Sequence, residues 1–295
     1  MLTFEFHSPE QEIIFPLYTQ NNVRVFVKRD DLIHPYISGN KWRKLKYAVN
    51  QAKEQKKQKL VTFGGAWSNH LLATAAAGAT FGFKTVGIVR GEQVDNPVLK
   101  LCQLFGMKLN FVSRTSYKNK NLLFEENFGS DPHAFYIAEG GYSREGLLGC
   151  RDMIGELTRS YDSIFCACGT GTTVAGLQLG INEYQLKSNV FGIPVLKGAN
   201  FLLDEIEKLG LCTGNLPTLL FDYHFGGYAK TNPELISFVR SFTSQTGILI
   251  EPTYTGKLFF ALHDQISKGQ VPPDSTILAV HTGGLTGILG LLDKF

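Results

Sequence analysis

The chain has 295 residues, 43% of them hydrophobic and 19% charged, with a formal net charge of +3. At roughly 150 residues per domain there is room for two modest domains with real cores, and the composition excludes a disordered chain or a coiled coil. The small net charge argues against a nucleic-acid partner, and the clearest basic run, Lys53 to Lys59, alternates with glutamine and reads as a solvated helix face.

No apolar stretch approaches the ~18 residues of a membrane span, and the opening MLTFEFHSPEQ lacks a charged-then-apolar leader. The expectation is a cytoplasmic protein with no membrane partner. Five cysteines are an odd number, and only Cys166 and Cys168 lie close together, as C-A-C. Two residues apart on a strand they share a face, which points to buried thiols and no metal site.

In chain order the apolar runs are VRVFVK, LVTF, TVGIV, LNFV, AFYIA, SIFCAC, NVFGI, LLFDY, GILIE and TILAVH, separated by helical stretches. This alternation predicts an α/β protein with open, doubly wound parallel sheets. Ten strands exceed the commonest sheet size, so two sheets and two domains are expected, with ligand in the crevice outside the strand C-termini. Residues 46–158 are assigned to a smaller domain, and 1–45 with 159–295 to a larger one. The glycine-rich passage from Gly140 to Tyr161 reads as a crossing between them. The polar stretch 113–133 reads as a surface connection without function.

Five loops follow the predicted strands and carry chemistry. Ser38-Gly39-Asn40-Lys41 opens a helix whose apolar stripe, Leu45, Ala48, Val49 and Ala52, shares a face with Lys41, while Arg43, Lys46, Asn50 and Lys53 take the polar side. One lysine therefore points inward, and a desolvated ammonium loses its proton more readily, as a Schiff-base lysine requires. In Gly64-Gly65-Ala66-Trp67-Ser68-Asn69-His70, Ser68 is a good N-cap and the helix start that follows attracts a carboxylate. Gly169-Thr170-Gly171-Thr172-Thr173 lets backbone N–H groups and hydroxyls close around a phosphate. It lacks the G-K-[ST] of a Walker A loop, and Val174 takes the third glycine position of a dinucleotide fingerprint. Glu251 to Lys257 and His281-Thr282-Gly283-Gly284 add hydroxyls at two more strand ends, with Tyr228 on the same edge.

A phosphate cradle, an inward lysine, an anion-binding helix start and neutral hydroxyls together suit pyridoxal phosphate. S-G-N-K-W-R-K-L, G-G-A-W-S-N-H, C-G-T-G-T-T, E-P-T-Y-T-G-K and H-T-G-G resemble the fold type II pyridoxal-phosphate enzymes, tryptophan synthase β-like in fold, and within them the D-cysteine desulfhydrase and 1-aminocyclopropane-1-carboxylate deaminase family. The resemblance implies that Lys41 holds pyridoxal 5'-phosphate as a Schiff base and moves the α-proton. It implies that Asn69 meets the cofactor's ring oxygen, that Ser68 and His70 lie against the substrate carboxylate, and that Gly169, Thr170, Gly171, Thr172 and Thr173 hold the phosphate. Tyr254 and Tyr228 would line the substrate pocket, and either Thr255 or Thr282 would meet the pyridine nitrogen.

The deaminase branch carries glutamate where this chain has Thr255, so the sequence favours α,β-elimination from D-cysteine or a similar β-substituted amino acid. The alternatives are deamination of 1-aminocyclopropane-1-carboxylate and, from another class, a non-catalytic binder of phosphorylated metabolites. A homodimer with a small-molecule amino-acid substrate is what the resemblance implies.

Overall fold

The computed structural model describes residues 2, 4–210 and 215–295. The chain opens with β1 (Glu10–Ile13), the short helix α1 (Pro16–Gln20), β2 (Arg24–Lys28) and α2 (Asn40–Glu54). A first run of alternating elements follows: β3 (Lys59–Gly64), α3 (Asn69–Phe81), β4 (Lys84–Arg90), α4 (Pro97–Leu104), β5 (Met107–Val112), α5 (Lys120–Phe128) and β6 (Ala134–Ile137). A second run comprises α6 (Arg144–Gly155), β7 (Ser163–Cys168), α7 (Thr172–Glu183), β8 (Asn189–Pro194), α8 (Leu202–Lys208) and β9 (Thr218–Leu219). The described chain finishes with α9 (Pro233–Thr246), α10 (Thr255–Ser267), β10 (Thr276–Val280) and short 3-10 turns.

The strands form two sheets, a six-stranded one of order β1-β2-β10-β7-β8-β9 and a four-stranded one of order β5-β4-β3-β6. Side-chain alternation separates the cores on the two faces of the larger sheet. Val25, Val27, Phe165, Ala167, Ile277 and Ala279 pack into one cluster. Their neighbours Phe26, Ile164, Cys166, Cys168, Leu278 and Val280 pack into another. Both faces are thus covered, the condition for near-continuous apolar strands. Cys166 and Cys168 lie on one face as free, buried thiols, as do Cys102 and Cys150 elsewhere; Cys212 lies outside the described residues.

Five expectations need correction. The larger sheet is not wholly parallel, because β1 pairs antiparallel with β2, and its Glu10, Gln11 and Glu12 made it illegible as a strand. The run GILIE joins no ladder: Ile248 and Ile250 are buried in a core cluster while the backbone enters the turn before α10. LLFDY shortens to two strand residues before a 3-10 turn. Residues 113–133 hold helix α5 and a buried Tyr117 rather than a plain connection. The basic run from Lys53 begins on α2 but mostly follows it, since that helix stops at Glu54.

Every strand except β1 runs in the same direction as its neighbours, so the C-terminal ends collect on one edge of each sheet. On the larger sheet, β10 lies between β2 and β7. The His281–Gly284 loop therefore falls between the approach to α2 and the Gly169–Thr173 loop. On the smaller sheet, β3 lies between β4 and β6, which places the Gly65–Ser68 turn between Arg90 and Glu139.

Candidate active site

A cavity of about 320 Å³ opens where these two edges meet, lined from the larger sheet by Asn40, Lys41, Gly169 and Thr282 and from the smaller by Ser68, Asn69 and His70. The start of α2 is stitched into it. Gly39 has φ +61, and a side chain there would place its Cβ 1.9 Å from the Thr282 carbonyl oxygen, so only glycine permits the crossing. The Asn40 backbone N–H donates to that carbonyl at 3.2 Å, and its side-chain amide donates to Thr173 Oγ1 at 2.9 Å. These bonds place Lys41 beside both loops.

Lys41 Nζ has no hydrogen bond or ion pair among the described residues. Burial, and after it the neighbouring Lys44 ammonium, lower its pKa to about 7. Lys44 is the second inward lysine: its Nζ donates to the Gly140 carbonyl at 3.0 Å and lies 3.4 Å from Thr170 Oγ1. Arg43 and Asn50, expected on a polar face, are buried instead. Arg43 is 2% exposed and held by Asp30 at 2.5 and 2.7 Å and by Glu156 at 2.9 and 2.8 Å. The amphipathic reading fails because α2 lies between layers, packing against both α6 and α3.

At the glycine-threonine loop, Gly171 (φ +84) precedes α7 and gives it no side-chain cap, so the first N–H groups of that helix remain available to an anion. A Cβ on Gly171 would sit 2.8 Å from Ile206, and one on Gly169 would sit 3.2 Å from the Tyr254 ring. Thr170 and Thr173 line the cavity, whereas Thr172 lies behind it with its hydroxyl 3.0 Å from that of Thr170.

Ser68 caps α3, accepting from Leu71 N–H at 3.3 Å. Asn69 Oδ1 accepts from the Thr286 hydroxyl at 3.1 Å, and Gly284 lies so near that a Cβ would reach 2.5 Å from the Asn69 amide nitrogen. His70 is buried, with Nε2 2.9 Å from the Thr62 hydroxyl and Nδ1 without a hydrogen-bond partner. Burial, then Lys41 and Lys44, hold its pKa well below the ordinary value.

Tyr254 and Tyr228 meet edge-on with centroids 6.0 Å apart. Two buried charges fix their loops. Glu251 accepts the backbone N–H groups of Thr253, Tyr254 and Thr255 at 2.6, 2.7 and 2.9 Å, which caps α10. Lys257 Nζ donates to the carbonyls of Gly227 at 2.7 Å and His224 at 2.8 Å, which holds the strand-edge loop carrying Tyr228. The Thr255 hydroxyl accepts Glu251 N–H at 2.9 Å and faces its own turn, away from the cavity, whereas Thr282 lines it.

The cavity therefore gathers Lys41, Ser68, Asn69, His70, Gly169, Thr170, Gly171, Thr173, Tyr228, Tyr254 and Thr282, and leaves out Thr172 and Thr255. Sequence reasoning missed Lys44, Arg90 and Glu139. Lys44 is three residues beyond Lys41 on a helix, and Arg90 and Glu139 stand at strand C-termini, so spacing and edge position were signals for all three. Chemically, the arrangement suits a ligand with an anionic tail at the threonine loop and an electrophilic carbon at Lys41.

Residues 14–283 match the family model described as pyridoxal-phosphate dependent enzyme. The chain is 32% identical to a Pyrococcus furiosus protein named provisionally as a 1-aminocyclopropane-1-carboxylate deaminase, covering 92% of this chain and 87% of that one. It is 29% identical to a mitochondrial Arabidopsis thaliana protein named bifunctional D-cysteine desulfhydrase/1-aminocyclopropane-1-carboxylate deaminase, covering 93% and 75%. A crystal structure described as an ACC deaminase homologue aligns with a TM-score of 0.86 at 30% identity, over 98% of this chain and 93% of that one.

Proposed function

The chain belongs to the family of pyridoxal-phosphate dependent enzymes, and from that premise we propose that it is a lyase acting on D-cysteine or a similar β-substituted amino acid. With cysteine, the amino acid and water give pyruvate, ammonia and sulfide. The observation that carries this reading is Lys41, an unpartnered amine with its pKa lowered to about 7, in the same cavity as the Gly169–Thr173 loop.

The residues fit the cofactor. Gly169 and Gly171, where a Cβ would press on Tyr254 and Ile206, lead into the uncapped start of α7 as a cradle of backbone N–H groups, and Lys44 adds a cation beside Thr170. We assign the phosphate to that cradle, the covalent attachment to Lys41, and the ring oxygen to Asn69. When bound, pyridoxal phosphate supplies an electron sink for the pair released as a bond at the substrate α-carbon breaks. Lys41 would hold the cofactor covalently and, as a free amine, would be the base for the α-proton. The uncapped donors at the start of α3, beside Ser68, receive the substrate carboxylate. Tyr254 and Tyr228 form the wall next to the departing β-group and can return a proton to it.

Elimination is favoured over ring opening by the surroundings of Thr255. The loop offers no free carboxylate, because both oxygens of Glu251 accept backbone N–H groups. We therefore give the pyridine nitrogen to the Thr282 hydroxyl, which strengthens the sink less than a carboxylate would. In elimination the leaving group takes up the electrons, whereas an unactivated cyclopropane asks more of the sink. The names carried by the Pyrococcus furiosus relative and the similar crystal structure favour the second reading, deamination to 2-oxobutyrate.

Product assays separate the two: sulfide and pyruvate from D-cysteine support elimination, and 2-oxobutyrate from the cyclopropane substrate without sulfide from D-cysteine overturns it. Borohydride reduction followed by peptide mapping should modify the Lys41 peptide; an unmodified lysine would point to a binder without covalent chemistry. We further propose a cytoplasmic homodimer, by likeness to the family. Among the described residues no helix is long and apolar enough to cross a membrane. The proposed division into 46–158 and the remainder cuts through α2, so Lys41 and the end of its helix fall on opposite sides of that boundary.

Uptake of cofactor by the apoprotein should depend on pH through Lys41. A lowered lysine pKa leaves the amine neutral, and nucleophilic, above about 7. The loading rate is expected to rise close to tenfold per pH unit below that value and to level off above it. Stopped-flow absorbance at pH 5.5 to 9 reads this directly; a rate that climbs steadily to pH 9 would show an ordinary lysine.

A further inference from the structure

Arg90 ends β4 on an exposed position and lines the cavity, yet its guanidinium has no hydrogen bond or ion pair among the described residues. Its Cζ lies over the Tyr117 ring, 5.9 Å from the centroid. Across the ladder Gly64 pairs with Val89, so Arg90 stands beside Gly65, and a Cβ on Gly65 would lie 3.9 Å from Arg90 Nη2. Gly65 belongs to the turn that enters α3. On the far side of that turn stands Glu139, whose charge is already matched: Lys120 Nζ lies 3.1 Å away and the Tyr117 hydroxyl donates at 2.8 Å.

We infer that Arg90, together with the N-terminal turn of α3, reads the α-carboxylate of the amino-acid substrate. Two anions must be accommodated in one cavity, and the cations are divided between them. Lys44 lies at the threonine loop, and Arg90 lies at the turn into α3. Anions gain most where a guanidinium and a helix N-terminus act on the same oxygens. Tyr117, with Lys120 holding Glu139, keeps that acid from pairing with Arg90, which gives the 113–133 segment a role that its polar sequence hides.

The inference rests on the amino-acid reading above. Its test is a titration of the holoenzyme, following the cofactor absorbance, with both enantiomers of alanine, which has no β-leaving group, and with the corresponding alaninamides, which lack the carboxylate charge. Arg90→Gln should weaken the responding alanine by roughly tenfold to a hundredfold, the range of a hydrogen bond to a charged group, and change its alaninamide less than about twofold. Arg90→Lys should fall between. Equal losses for alanine and alaninamide, or no loss for either, would overturn the assignment. So would a loss confined to aspartate relative to asparagine, which would make Arg90 a reader of a second, side-chain anion. If wild-type holoenzyme keeps its cofactor band but responds to no amino acid, the amino-acid reading itself fails and this inference falls with it.

Discussion

Lys41→Ala is expected to leave a folded protein without a stable cofactor band and with turnover lower by at least roughly 10²–10⁴-fold, the contribution of a positioned proton-transfer group alone. The wild-type amine is costly to keep: it is largely withdrawn from water, has no counter-ion among the described residues, and stands beside the Lys44 ammonium. Removing it relieves that repulsion, so the variant apoprotein should melt no lower than wild type. Absorbance spectra with and without added cofactor, a thermal scan and a pyruvate assay check the three parts separately. An alanine variant that retains a borohydride-reducible adduct would assign the attachment to another amine. Lys44 is the one to examine, since it lines the same cavity.

The second large effect is on stability. Asp30 is fully buried, accepts two hydrogen bonds from Arg43 and a third from the Ser8 hydroxyl at 2.6 Å. Asp30→Ala leaves the Arg43 guanidinium buried with only Glu156 to pair with, and breaking such a pair from one side costs about 3–5 kcal/mol. The remaining bond to Glu156 places the expected loss toward the lower end. Glu12→Gln, which breaks an exposed, solvent-screened pair with Arg24, should leave the unfolding midpoint almost unchanged. Urea unfolding of the two apoproteins compares them. Because Arg43 follows Lys41 by two residues on α2, Asp30→Ala should also slow cofactor loading, whereas Glu12→Gln should not.

Much of this molecule was legible in its sequence, for a reason that can be stated residue by residue. The strand cores SIFCAC and TILAV are buried on both faces, and a strand without a polar side can only read as apolar. The loops that follow them are rich in glycine where backbone approaches Tyr254, Ile206 and Ser38 too closely for a side chain. What stayed hidden had the opposite character. The strand β1 lies at a sheet edge and shows glutamate and glutamine to solvent, so it carries no apolar period. Arg43 was placed on a solvated face because helical periodicity assumes one wet side, and α2 has almost none along its first turns. Glu251 clamps N–H groups two to four residues further on, within its own turn, whereas the carbonyls that Lys257 holds lie 30 and 33 residues away, beyond the reach of local spacing. Arg90 closed an ordinary strand, and its meaning came only from the strand beside it.

The Thr286 hydroxyl donates to Asn69, and a Cβ on Gly290 would come 2.9 Å from the Trp67 ring. Residues beyond the last strand therefore reach back to the opposite sheet and brace the side chain at the head of α3. A carboxypeptidase clip after Gly284 would spare every ladder and every long helix, yet it would free the Asn69 amide to rotate.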